Sequence, residues 1–167
     1  MGTLFALRWT AERPESVKSL FLTGATARFC AAEGYENGIE SAKLREMARL
    51  LVKNKDGVMR AFFSSFLEES SAKPAILARL MRNVPGPEIL LSGLAELDGM
   101  DLLEEIPSIK ARVRIVQGSR DRITPVFGAE EIAARLPGAE LSVVDGNHAV
   151  FLEQPGVLEQ EWVKWTS

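Results

Sequence analysis

Two short stretches of the chain concentrate the residue types that do chemistry. Gly118-Ser119-Arg120-Asp121-Arg122-Ile123-Thr124-Pro125 carries an acid, Asp121, and Asp145-Gly146-Asn147-His148-Ala149-Val150-Phe151 carries the single histidine, His148. Each follows a short apolar, β-rich run: Val-Arg-Ile-Val-Gln at 113–117 and Glu-Leu-Ser-Val-Val at 140–144. Between them, Thr124-Pro125 reads as an N-cap and first helical residue, opening a helix that stops at Leu136-Pro137-Gly138. A strand-helix-strand unit with a right-handed crossover has parallel strands. Both loops then leave the carboxyl ends of neighbouring strands, where such sheets hold ligands, and adjacent strands lie only ~4.8 Å apart. Asp121 and His148 are therefore expected to touch. A carboxylate on one ring nitrogen fixes the tautomer of the histidine. It also stabilises the imidazolium formed when the other nitrogen takes a proton from a nucleophile.

Taken singly, each residue has a plainer explanation. Asp121 lies just before a helix N-terminus, where the dipole favours negative charge, and a histidine in a glycine-bearing loop is often only solvated. Their joint placement at adjacent strand ends favours the pair of base and orienter. Asp98 and Asp101 are rival acids, but they precede the strand, and Asp145 sits too close to His148 in one tight loop to orient it. One histidine and one cysteine do not supply a typical metal site, so neither metal nor cofactor is expected.

The elements that must hold these loops are legible on either side. Residues 2–12 read as a helix apolar on most sides, closed by Pro14, and Val17 to Thr23 as a strand ending at Gly24. A last helix starts near Pro155 with Leu158, Trp162 and Trp165 on one face. The middle of the chain differs. Leu44, Met47, Ala48 and Leu51, then Met59, Phe62, Phe63 and Phe66, then Leu77, Leu80, Met81 and Val84 are spaced as three helical faces with no strand between them. The expected fold class is α/β, about three parallel strands with flanking helices, in two parts: a core at 1–36 and 98–167 and an all-helical lid at 37–97. Met59, Phe62, Phe63 and Phe66 are either merely core or, as a set with the other stripes, form both a small core and the roof of an apolar substrate pocket.

Composition excludes several other classes. A formal charge of −3, with basic residues scattered along the chain, makes nucleic acid an unlikely partner. The lone Cys30 cannot form an internal disulfide, and no apolar run approaches the ~18 residues that span a bilayer. The opening residues lack a basic start and a small-residue cleavage site, so a cytoplasmic setting without a membrane partner is expected.

Gly118-x-x-Asp121-x-x-x-Pro125, Leu136-Pro137-x-Ala139-x-Leu141 and Gly146-x-His148-x-x-Phe151-Leu152-Glu153-x-Pro155 together resemble the C-terminal signature of α/β-hydrolases. Upstream, Thr26-Ala27-Arg28-Phe29 and Gly93-Leu94-x-x-Leu97-x-x-x-Asp101-Leu102 resemble the pimeloyl-acyl carrier protein methyl ester esterases of biotin synthesis. Ala111 and Val150 stand where those proteins often have proline. The resemblance implies a serine carboxylesterase acting on a small-molecule or carrier-linked ester, in which Asp121 orients His148. It also implies an acyl chain beneath the lid stripe. Lys53, Lys55, Arg60, Arg79 and Arg82 would be available to the acidic carrier, unless they form an ordinary solvated face.

The family's nucleophile sits on a G-x-S-x-G turn between a strand and a helix. Met1 to Leu7, then Pro14 to Leu20, resemble the helix and turn on the C-terminal side of that serine, so the resemblance makes the backbone N–H of Met1 an oxyanion-hole donor. The chain is then expected to start just after its nucleophile and to be inactive alone. Cys30, Ser64 and Ser65 are poor substitutes. The strand at 17–23 would have lost a neighbour, giving an exposed edge that either self-associates or pairs with the missing N-terminal portion. An alternative of another class is a noncatalytic, degenerate hydrolase that binds a partner.

Overall fold

A computed structural model describes residues 1–67 and 72–167; residues 68–71, inside the stretch expected to form the lid, lie outside the described residues. In chain order the elements are α1 (Gly2–Glu12), β1 (Ser19–Thr23), α2 (Ser41–Phe66), α3 (Lys73–Arg82), α4 (Pro87–Gly99), a 3-10 turn (Ile106–Ser108), β2 (Arg112–Gly118), α5 (Val126–Arg135), β3 (Glu140–Val144), α6 (Val150–Glu153) and α7 (Pro155–Thr166). They form two compact units, one of Met1–Phe29 with Met100–Ser167 and one of Cys30–Gly99.

The first unit is built on a parallel sheet in the order β1-β2-β3. Leu22 pairs with Ile115 and Ile115 with Leu141, while Phe21, Arg114 and Glu140 align on the opposite face because side chains alternate along a strand. α1 packs on β1, and α5 packs on β2 and β3. Leu4, Leu7, Val113, Ile115 and Ile132 are almost entirely buried, each burial stabilising by roughly 1.5–3 kcal/mol. On the opposite face, Phe21 meets Trp162 and Trp165 of α7 at ring-centroid distances of 5.3 and 5.8 Å. Beside them Arg114 bonds Glu161, Glu140 (3.0 Å) and Ser142 (2.7 Å). Bonds from Lys164, Arg114 and Ser142 pull the Glu161 carboxyl down to about 2, so this buried cluster stays ionised.

Two boundaries depart from the sequence reading for local reasons. Pairing of β1 starts at Ser19 rather than Val17, with the Lys18 carbonyl already accepting from the Arg112 N–H at 3.0 Å. α5 begins at Val126 with Pro125 as its cap residue, because the Thr124 hydroxyl is engaged by Asp121 rather than by the helix.

The second unit is helical. Two of the expected apolar faces lie on α2, which breaks at Asn54 (φ −152°, ψ 72°); Asn54 Oδ1 accepts from the Gly57 N–H at 3.0 Å and restarts the helix as an N-cap does. Of the third face, Leu77, Leu80 and Met81 lie on α3, and Val84 follows its end. α4 is an additional helix that the sequence reading did not separate, because Ile89, Leu90, Leu91, Leu94 and Leu97 are apolar on several sides and show no single stripe. Residues 30–36 also belong to this unit, not to the sheet. The Ala31 N–H bonds the Ile39 carbonyl at 2.9 Å, and Ala32 and Tyr35 exchange backbone bonds. Among the described residues no helix is long and apolar enough to cross a membrane.

Candidate active site

The parallel sheet brings the ends of β2 and β3 together, and backbone bonds tie their loops to each other. Ser119 N–H donates to the Val144 carbonyl (2.8 Å) and Arg120 N–H to the Gly146 carbonyl (2.9 Å). Such an approach requires Gly118: a Cβ there would stand 2.4 Å from the Asn147 carbonyl oxygen and 2.6 Å from that of Gly146. The chain then turns so that the Asp121 side chain is fully buried.

Burial would be costly for a carboxylate without donors, and here donors surround it. Oδ1 accepts from the backbone N–H groups of Ile123 (2.8 Å) and Thr124 (2.9 Å). Oδ2 accepts from Gln117 Nε2 (2.9 Å), Thr124 Oγ1 (2.9 Å) and His148 Nδ1 (2.8 Å). Burial, the largest single influence, pushes the Asp121 carboxyl up. The bond and charge of His148 and the two backbone donors together outweigh it and hold the group below the usual carboxylate range.

His148 follows β3 and keeps about a quarter of its side chain exposed (23%). An ionised carboxylate only accepts, so the short contact assigns the hydrogen to Nδ1 and leaves Nε2 of the neutral ring as the basic nitrogen. Thr124 Oγ1 also lies 3.2 Å from Nδ1 and shares the same hydrogen. Gly24, just past β1, lets the ring come this close. A Cβ there would lie 2.8 Å from His148 Cε1, and the glycine adopts φ +60°. The ends of all three strands thus shape one site.

The other candidates fall elsewhere. Asp101 pairs with Arg28, Asp145 with Arg120, and Asp98 lies near Arg45 at 3.9 Å. Met1 caps α1, its carbonyl accepting from the Phe5 N–H at 3.3 Å. A helix joined by a turn to the start of the strand on which it packs runs antiparallel to it, so α1 begins toward the edge that carries Asp121 and His148. Met59 and Phe66 are core residues of the helical unit, 6% and 8% exposed, and of the four only Phe62 and Phe63 keep accessible surface. The three phenylalanines stack on one another at 5.2–5.9 Å. A cavity of about 190 Å³ in that unit is lined instead by Leu44, Arg45, Ala48, Leu91, Leu94, Ala95 and Asp98. Cys30 is buried. Among the described residues no three His, Cys, Asp or Glu side chains gather to hold a metal ion. The sequence does not mark Gln117, Thr124 and Gly24 as site residues; the one signal for Gln117 is an amide next to Ile115 and Val116 at the end of a strand.

No family model matches the chain. The pimeloyl-[acyl-carrier protein] methyl ester esterase of Stenotrophomonas maltophilia is 30% identical over 158 residues, covering 91% of this chain and 61% of the relative. The protein of the same name from Xanthomonas oryzae is 29% identical over 158 residues. The chain thus spans about three fifths of the length of the curated relatives it matches. Among solved structures, an esterase from Exiguobacterium antarcticum superposes with a TM-score of 0.88 at 20% identity, covering 98% of this chain and 62% of that one. An α/β-hydrolase from a Medee basin deep-sea metagenome does so with a TM-score of 0.76 at 15% identity, covering 94% and 58%. The fold is part of an α/β-hydrolase, and the chain resembles the pimeloyl-acyl carrier protein methyl ester esterases.

Proposed function

We propose that this chain supplies the base and its orienter to a serine carboxylesterase whose nucleophile lies on a segment N-terminal to Met1. The observation that carries this reading is the 2.8 Å contact between His148 Nδ1 and a fully buried carboxylate that accepts from donors only. The serine hydroxyl attacks the ester carbonyl while Nε2 of His148 takes its proton. The proton then passes to the leaving alkoxide, which departs as the alcohol. A water, deprotonated by His148 in the same way, hydrolyses the acyl-enzyme to acid and free serine. Asp121 stays ionised throughout and steadies the imidazolium. The Met1 N–H, at the start of α1, is assigned to the oxyanion hole.

The substrate class we propose is a methyl ester of a pimeloyl chain on acyl carrier protein, the ester of biotin synthesis, a reading that the names of the relatives support. Phe62 and Phe63 are the residues of the apolar stripe available to the acyl chain. Lys53, Arg60, Arg79 and Arg82 are exposed for the acidic carrier.

The test is to join the chain to the leading portion of the Stenotrophomonas relative and assay fluorophosphonate labelling and methyl-ester hydrolysis. The 167-residue chain alone should do neither. The joined protein should do both, lose both on His148→Ala, and fall by about 10⁴ in kcat on Asp121→Asn. Labelling of the chain alone would misplace the nucleophile. Hydrolysis indifferent to His148→Ala would exclude the mechanism and favour a noncatalytic role.

A further inference from the structure

We infer that Gln117 is a positioning residue that sets the proton affinity of His148 through Asp121, an inference that rests on the base-and-orienter reading of the site. Gln117 is the last residue but one of β2 and is 0% exposed. Its Oε1 accepts from the Ala25 backbone N–H at 3.0 Å, and its Nε2 donates to the Thr124 carbonyl at 2.6 Å and to Asp121 Oδ2 at 2.9 Å. A backbone N–H only donates and a carbonyl only accepts, so these two partners fix which end of the amide is nitrogen. The remaining Nε2 hydrogen must therefore point at Asp121, where only an acceptor fits.

The two backbone bonds would suffice to tie the loop after β1 to the loop after β2. The third bond goes to the oxygen that His148 uses. Oδ2 divides its charge among His148 and two neutral donors, Gln117 and Thr124. Removing a neutral donor concentrates charge on Oδ2 and strengthens its hold on a protonated imidazole. Gln117 thus draws charge from the oxygen that faces His148, the oxygen that would steady the protonated ring. The other charged side chains on these loops pair among themselves, Arg120 with Asp145 and Arg28 with Asp101, while Arg122 lies on the loop of Asp121 itself and Glu153 on the helix after His148.

The experiment is an NMR titration of the unmodified 167-residue chain and of two variants, read at the single histidine. Gln117→Leu should raise the His148 midpoint by about half a unit, a roughly threefold gain in proton affinity, with the Nδ1 hydrogen retained. Gln117→Glu, which places a second carboxylate beside Oδ2, should raise it further. In the parent chain the Gln117 side-chain amide signal should shift with the His148 midpoint, while those of Gln154 and Gln160 should not. This arm needs no variant to fold. An unchanged or lowered midpoint in either variant, or a Gln117 signal flat through the titration, overturns the inference. A parent chain lacking the Nδ1 hydrogen overturns the base-and-orienter reading instead.

Discussion

Five groups bond the Asp121 carboxylate, and three of them, the backbone N–H groups of Ile123 and Thr124 and the Gln117 amide nitrogen, can only donate. Its depressed affinity for protons is therefore also a contribution to stability. A carboxyl whose folded value lies below its unfolded one stabilises the protein above the ordinary carboxylate range, and that contribution is lost as pH falls through the folded value. Asp121→Asn replaces an acceptor by an amide that turns two hydrogens toward existing donors. It should cost about 1–3 kcal/mol near neutral pH, and its deficit against the parent should shrink as pH falls below about 4. Denaturant unfolding at neutral and acidic pH would measure both, and a deficit that grows with acidity would contradict the charge account. The types and spacing of Asp121 and His148 were legible because the two glycine-bearing loops follow neighbouring strands, one holding the single histidine and the other one acid. Gln117 and Gly24 were not, since their roles come from partners 92 residues away in the case of Gln117 and Ala25, and from a ring that arrives only when the sheet forms.

At the scale of elements, the strands were legible as β-rich runs that end in glycine-bearing loops, and α1, α5 and α7 from the prolines that close or open them. α4 escaped because a helix apolar on several sides has no period to read, and the break at Asn54 in α2 depends on a side-chain cap rather than on patterning. One element carries a liability. β1 is an edge strand, and α1 with its cap residue presents Met1, Phe5 and Trp9 at four-residue spacing, 47%, 43% and 51% exposed. An unpaired strand edge and an exposed apolar row invite pairing with another chain. A net charge of −3 opposes association weakly. The 167-residue chain should therefore self-associate at micromolar concentration, or become monodisperse only when joined to the leading portion of a relative. Size-exclusion chromatography with light scattering checks this, and a stable monomer with a cooperative thermal transition would show that the edge is protected.

At the scale of the whole molecule, composition and the alternation of β-rich ends with a helical middle announced an α/β core and a helical insertion. The exact division at residues 29–30 and 99–100 depends on backbone bonds within 30–39 that no residue pattern displays. The chain spans about three fifths of the relatives it matches, so the proposed chemistry is best tested on the two side chains it holds. The central claim is that Asp121 fixes His148 as a base at Nε2. Because His148 is the only histidine, ¹⁵N-histidine labelling of the 167-residue chain reports on it alone. At a pH where the ring is neutral, the account predicts a protonated Nδ1, its hydrogen strongly deshielded by the carboxylate, and an unprotonated Nε2. A ring protonated at Nε2, or one exchanging freely between the two tautomers, would contradict it.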